Sequence, residues 1–147
     1  MNQEQLHELI YQALETEKGG MEVYIAALKC VKHAELKEEW EEYLEQTTRH
    51  VEVMREVCQA FGLDLERETP GRQIVRHKGQ ALVQAMEMAL RAGDPAAAEL
   101  VACECVVDAE TKDHQNWELM SEAAEKLSGR EKDALENACE EVEDEED

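Results

Sequence analysis

Apolar residues recur along this chain at alternating steps of three and four, the spacing that lines one face of an α-helix. The first stripe runs through Ile10, Leu14, Glu17, Met21, Tyr24, Leu28 and Val31, and predicts a helix from about Glu4 to His33. A second reads Trp40, Tyr43 or Leu44, Thr47, His50 or Val51, Met54, Val57 or Cys58, then Phe61. It predicts a helix from about Leu36 to Phe61 with Gly62 as its C-cap. Leu63 to Arg72 reads as a loop, with Pro70-Gly71 as its turn. A shorter helix from about Gln73 to Arg91 carries Ile74, Ala81, Leu82, Ala85, Met86, Ala89 and Leu90 and closes at Gly93. Asp94 as N-cap and Pro95 in the first helical position open a long helix to about Leu127. Ser128-Gly129 breaks it. The last helix starts near Arg130, sets Leu135, Ala138, Cys139 and Val142 on one face, and ends in an acidic run from about residue 140 that is expected to fray.

Long helical runs, two prolines and a length of 147 residues predict one all-helical domain over the whole chain. Gly19 and Gly20 interrupt the first helix, and each costs about 1 kcal/mol against alanine. Such a pair needs close approach of another helix, space beside Glu17, or a local kink.

Glu17 is the one charged member of its stripe. A carboxylate in a buried seam costs on the order of several kcal/mol unless something neutralises it. The pattern returns in the second half, where Leu100, Cys103, Val107, Glu110, His114, Trp117 and Ala124 form another stripe. Glu110 replaces Glu17, Trp117 replaces Tyr24, and in both places six residues separate the Glu from the aromatic. Two such helices in one chain predict an internally duplicated bundle with acidic groups converging on its axis.

Charge narrows the function classes. Asp and Glu number 36 against 15 Lys and Arg, a formal charge of −21. A surface this acidic repels nucleic acid and anionic membranes and suits cations or a basic protein partner. No apolar run approaches the ~20 residues of a membrane span. The start MNQEQLHELI has no basic leader before an apolar core, so the expected compartment is the cytoplasm. Five cysteines without a CxxC pair predict reduced, buried thiols. Arg67, Arg72, Arg76 and Lys78 make the one basic patch, expected to balance neighbouring acidic helices.

A carboxylate-bridged metal pair in a four-helix bundle takes one Glu from each of two helices. It takes a carboxylate and an imidazole one turn apart from each of the other two. Residues three or four apart face the same way, so one helix can supply two ligands to one ion. Glu17 and Glu110 fit the single-Glu helices, and His50 fits an imidazole position. The step from Glu17 to His50, repeated from Glu110, lands on Glu143. Asp113 and His114 lie one turn beyond Glu110 and complete the candidate set. On the last helix the apolar face places Glu146 near the centre, Glu143 at the border and Glu140 outside. The carboxylate expected one turn before His50 is absent, because Gln46 and Thr47 stand there and Glu45 points elsewhere. A mononuclear site, an asymmetric one, or none at all stays open on these residues.

The Glu-x6-Tyr spacing resembles that of ferritin-like and rubrerythrin-like bundles. Four segments look more closely like the YciE/YciF stress-protein family of ferritin-like proteins: TEKGG at 16–20, YLEQTTRHVEVMREV at 43–57, the helix from Asp94 to Leu127 with Glu110 and Asp113, and ALENACEEVEDEE at 134–146. This resemblance implies a ferritin-like four-helix bundle of two helix pairs with a short extra helix between the halves, commonly a homodimer. It also implies a di-iron or related site, with manganese as the alternative, and association with stress responses. Gln46 departs from the family pattern. Two functions follow as expectations: an iron-binding protein with oxidase or peroxide-consuming activity, or a metal-free acidic helical module that dimerises and binds a basic partner.

Overall fold

The computed structural model describes the backbone of residues 1–146 and the side chains of residues 1–145. Five helices carry this part of the chain: α1 (Gln3–Cys30), α2 (Ala34–Ala60), α3 (Pro70–Arg91), α4 (Pro95–Ala124) and α5 (Gly129–Glu146). The fold is all-helical, as the periodicity predicts, and no strand occurs among the described residues.

Local chemistry sets the helix boundaries. Asn2 and Gln5 form a reciprocal capping box at the start of α1, each side chain accepting from the other's backbone N–H at 2.9 Å. Asp94 caps α4 as expected, accepting from the N–H groups of Ala96 and Ala97. Gly62, just past α2, has φ of 68°, a conformation that costs glycine nothing. The Pro70-Gly71 turn is a correction. Thr69 accepts from the N–H of Arg72 and caps α3, with Pro70 in its first turn, so the pair opens a helix rather than closing a loop. At the other end α5 is helical through Glu146; Asp147 lies outside the described residues.

Helix α1 packs on α2, α3 and α4, while α5 packs on α2 and α4. Contacts therefore close a circuit from α1 through α2, α5 and α4 back to α1, compatible with a four-helix bundle, and α3 lies outside against α1 and α4. Pairings fix the directions. Gly71 meets Glu8 and Gly79 approaches Gly19, so α3 runs parallel to α1. Glu99 meets Lys32 and His33, and Trp117 meets Glu17, so α4 runs antiparallel to it. The glycine pair in α1 serves close approach: a Cβ on Gly20 would lie 3.2 Å from the Thr47 methyl, and one on Gly79 would lie 3.8 Å from the Gly19 Cα.

Two apolar cores stack along the bundle. One joins Ile10 and Leu14 of α1, Met54 and Val57 of α2, Met120 of α4 and Leu135 and Val142 of α5. The other joins Tyr24 and Ala27 of α1, Trp40 of α2, Met86 of α3 and Ala102 and Val106 of α4, without α5. All five cysteines are free thiols, and burial pushes Cys58 up to about 11 and Cys139 up to about 12.

Of the basic patch, Arg72 and Arg76 both reach Glu15, at 3.1 and 2.6 Å, and Arg76 also reaches Glu68. They tie α3 to α1, the balancing role expected of them. Close by, Glu8 accepts from the N–H of Gly71 at 2.7 Å and from Thr69. A Cβ on Gly71 would fall 2.0 Å from the Glu8 oxygen and 2.5 Å from the Gln12 amide nitrogen. Gly71→Ala is therefore expected to break the Glu8 clasp and cost about 1–3 kcal/mol by overpacking. Urea denaturation reads this directly; a loss below ~0.5 kcal/mol would mean that the clasp simply swings aside.

Candidate metal centre

Between the two apolar cores lies a layer of polar side chains from α1, α2 and α4. Glu17 is 1% exposed and His50 is 5% exposed. The Trp117 indole N–H donates to Glu17 Oε1 at 2.9 Å. His50 Nδ1 stands 3.7 Å from Glu17 Oε2, and its Nε2 lies 2.6 Å from Glu145 Oε2. Asp113, one helical turn before Trp117, shares a hydrogen bond with Glu17. At the rim, the buried Tyr24 hydroxyl donates to Glu110 Oε1 at 2.5 Å. Glu17 and Glu110 both act on Asp113, but they do not meet in the interior as the duplicated stripe predicts: Glu17 is enclosed and Glu110 is an exposed residue.

Helical periodicity explains who points inward. Glu17 and Tyr24 occupy positions in the α1 stripe, so burying that stripe carries them in. The α4 stripe is a correction: Leu100, Val107, Glu110 and His114 are exposed, and α4 instead buries the face of Ala98, Ala102, Cys105, Trp117 and Met120. Thr47 is buried beside Gly20, so α2 contributes a methyl and a hydroxyl one turn before His50 where a second carboxylate was expected. The Thr47 hydroxyl is satisfied by the carbonyl of Tyr43 at 2.8 Å. Helix α2 thus brings His50 to the cluster without a neighbouring acid.

The electrostatics are those of crowded acids. Burial raises the Asp113 carboxyl well above the usual range. Its hydrogen bond to Glu17 and the charges of Glu17 and Glu110 raise it further, while His50 opposes them. A protonated Asp113 donating to Glu17 satisfies both groups. Tyr24 is likewise held above its ordinary value, first by burial and then by Glu110, so it stays a neutral donor.

Two expected ligands fall elsewhere. Glu143 is exposed on α5. His114 is exposed and pairs with Glu118 at 2.9 Å on the outer face of α4, because one residue's rotation past Asp113 carries it away from α1. The expectation for the Glu146 side chain lies outside the described residues. Glu145 went unnoticed, although Leu135, Ala138, Val142 and Glu145 continue the three-and-four stepping. A step of four from Val142 led to Glu146, and a step of three would have found Glu145. Asn116 was also missed; it is fully buried and donates to Thr16 at 3.1 Å.

Chemically the cluster offers carboxylate oxygens and one imidazole, a donor set suited to hard or borderline divalent ions. Yet among the described residues no three His, Cys, Asp or Glu side chains are arranged to hold an ion. Trp117 and Tyr24 each engage an oxygen of the carboxylates that would ligate. The donor types fit a metal, and their present hydrogen bonds are to one another and to Trp117 and Tyr24. Set against known proteins, the chain matches no family model, no curated protein and no solved structure.

Proposed function

We propose that this protein is a ferritin-like, metal-binding helical protein whose centre takes iron, or manganese as the alternative. The observation that carries this reading is the acidic cluster on the bundle axis. Asp113 and Glu17 are hydrogen-bonded beside His50, with Glu110 and Glu145 adjoining. A cation among them would relieve the repulsion that raises Asp113. Glu17, Asp113, Glu110 and Glu145 would supply oxygens and His50 a nitrogen. Iron bound by such a set would supply redox chemistry with dioxygen or peroxide. The chain's own part is to position and to exclude water. Trp117 holds Glu17 through its indole N–H, Tyr24 holds Glu110, and the two apolar cores close the layer above and below. A link to oxidative stress and assembly as a homodimer accompany this reading. For the latter, α4 exposes Leu100 and Val107, at 72% and 61%, on its outer side.

Thermal unfolding of metal-free protein with Fe(II), kept anaerobic, or with Mn(II) or Zn(II), tests it. An ion at a hundred times its dissociation constant stabilises the fold by about 2.7 kcal/mol. Iron and manganese are expected to raise Tm, and Glu17→Gln, which keeps an acceptor for Trp117, to abolish the rise. No shift with any ion, together with under one metal per chain after purification without chelator, sinks the proposal.

One observation favours the second reading, a metal-free acidic module for a basic partner. Trp117, His50 and Asp113 already serve Glu17 without any cation. On that reading the parent protein's melting curve is already indifferent to metals, and a basic peptide supplies the stabilisation.

A further inference from the structure

On the opposite side of α1 from α2, a cleft of about 600 Å³ opens between α1, α3 and α4. That is the size class of small-molecule pockets, ~300–1,000 Å³. We propose that this cleft binds an aliphatic monocarboxylate, with its chain among the glycines and aliphatic side chains and its carboxylate on Lys112 and Lys78.

The walls explain the space. Gly19, Gly20, Gly71 and Gly79 all line the cleft, and a Cβ on Gly19 would meet nothing within 4 Å. Two helices that lack side chains on facing turns approach closely at Gly79 and leave a slot beside the contact. Val23, Val75, Leu82 and Ala109 line the slot, and Ile74, 56% exposed, stands at its edge. No aromatic side chain lines it, so nothing there stacks on a base or a ring, and the lining matches an alkyl chain.

The amines explain the charge. Lys112 donates to the Asn116 carbonyl oxygen at 2.7 Å and to the Gln12 carbonyl oxygen at 3.3 Å, both neutral acceptors. The charge acting on it is that of Lys78, which lines the same cleft. Glu15, also at the wall, is already engaged by Arg72 and Arg76. In a chain with 36 acidic residues and 15 basic ones, an ammonium group served by amides alone, with a second ammonium on the same cleft, is the exception. One anionic head between them would reduce their repulsion and supply charge-assisted hydrogen bonds. Asp108 on the cleft wall and the net charge of −21 weigh against a polyanion, so one negative charge on an apolar body is the best match.

The site lies apart from the acidic cluster and does not depend on metal. Decanoate below its micelle-forming concentration is the probe, and amide chemical shifts of the metal-free protein are the readout, with decanol as the neutral control. Decanoate is expected to saturate at one site, shifting the Gly19, Gly79 and Lys112 amides, with decanol about tenfold weaker. Lys112→Gln should bring decanoate down to the level of decanol. Gly19→Leu, whose Cβ would meet nothing within 4 Å, should stay folded and lose both ligands. Absence of saturable shifts at those amides, equal binding of decanoate and decanol, or full binding by folded Gly19→Leu overturns the proposal.

Discussion

Replacing Arg72 by alanine should cost about 3 kcal/mol of stability, the lower end of the range for breaking a buried ion pair. The side chain is 3% exposed and does several jobs at once. Its Nε donates to Glu15 at 3.1 Å, and a terminal nitrogen donates to the carbonyls of Leu65 and Arg67 at 2.6 and 2.9 Å. Its guanidinium lies 5.6 Å from the centre of the Tyr11 ring, and the Tyr11 hydroxyl in turn donates to the Asp64 carbonyl. Removing Arg72 leaves two part-buried carbonyls without that donor and unties residues 61–69 from α1. The cost stays near the lower end because Arg76 still neutralises Glu15. For a chain of this length, about 3 kcal/mol lowers Tm by roughly 6–12 °C. Added salt should change the loss little, since the contacts are buried, whereas the exposed pair of Arg49 and Glu141 should respond to it. Arg72→Lys should recover only part, because an ammonium cannot make the forked set of bonds. A loss under ~1 kcal/mol for the alanine variant would show that residues 61–69 hold themselves.

Replacing Asp113 by asparagine should stabilise the metal-free protein at neutral pH, and the gain should vanish on acidification. Asp113 titrates above its ordinary value in the folded state. Below the ordinary Asp value, near pH 4, folded and unfolded chains both hold the proton and nothing is lost. As the pH rises past that value the unfolded chain releases its proton first. Stability then falls until the raised folded value is passed. An asparagine amide donates to Glu17 at every pH, so the variant escapes this decline. Urea denaturation in chelator at about pH 3 and about pH 7.5 measures the difference: near zero at the first, in the variant's favour at the second. A variant weaker than the parent at both would mean that Asp113 is ionised and holds a cation or His50 instead. The same substitution removes an anionic oxygen from the proposed centre, so the iron-induced rise in Tm should shrink even as the metal-free protein gains.

Much of the molecule was legible as periodicity. The three-and-four stepping located all five helices, and the Asp94-Pro95 pair marked the α4 start, because capping is local chemistry. The inward Glu17 followed from the α1 stripe, whereas the stripe through Glu110 was misread, because α4 buries the face of Ala98, Ala102, Cys105 and Trp117 instead. Pro70-Gly71 was misread because proline in a first helical turn and proline in a loop turn share the same local signature; Thr69 accepting from Arg72 distinguishes them. On α5 the stepping of three or four left Glu143 and Glu146 as rivals and passed over Glu145. A stripe specifies a face, and a face near a helix end is wide.

The pattern of apolar and polar positions, by itself, determined that this chain is helical, that its helices bury one stripe each, and that an acid sits inside one of them. Which groups meet was decided only by the tertiary structure. Glu17 with Asp113 and Trp117, His50 with Glu145, and Lys112 with Asn116 and Gln12 depend on helix direction, axial offset and rotation between segments. Those follow from how side chains such as Gly20 and Thr47 interlock across helices, a matter of shape that no single helix carries.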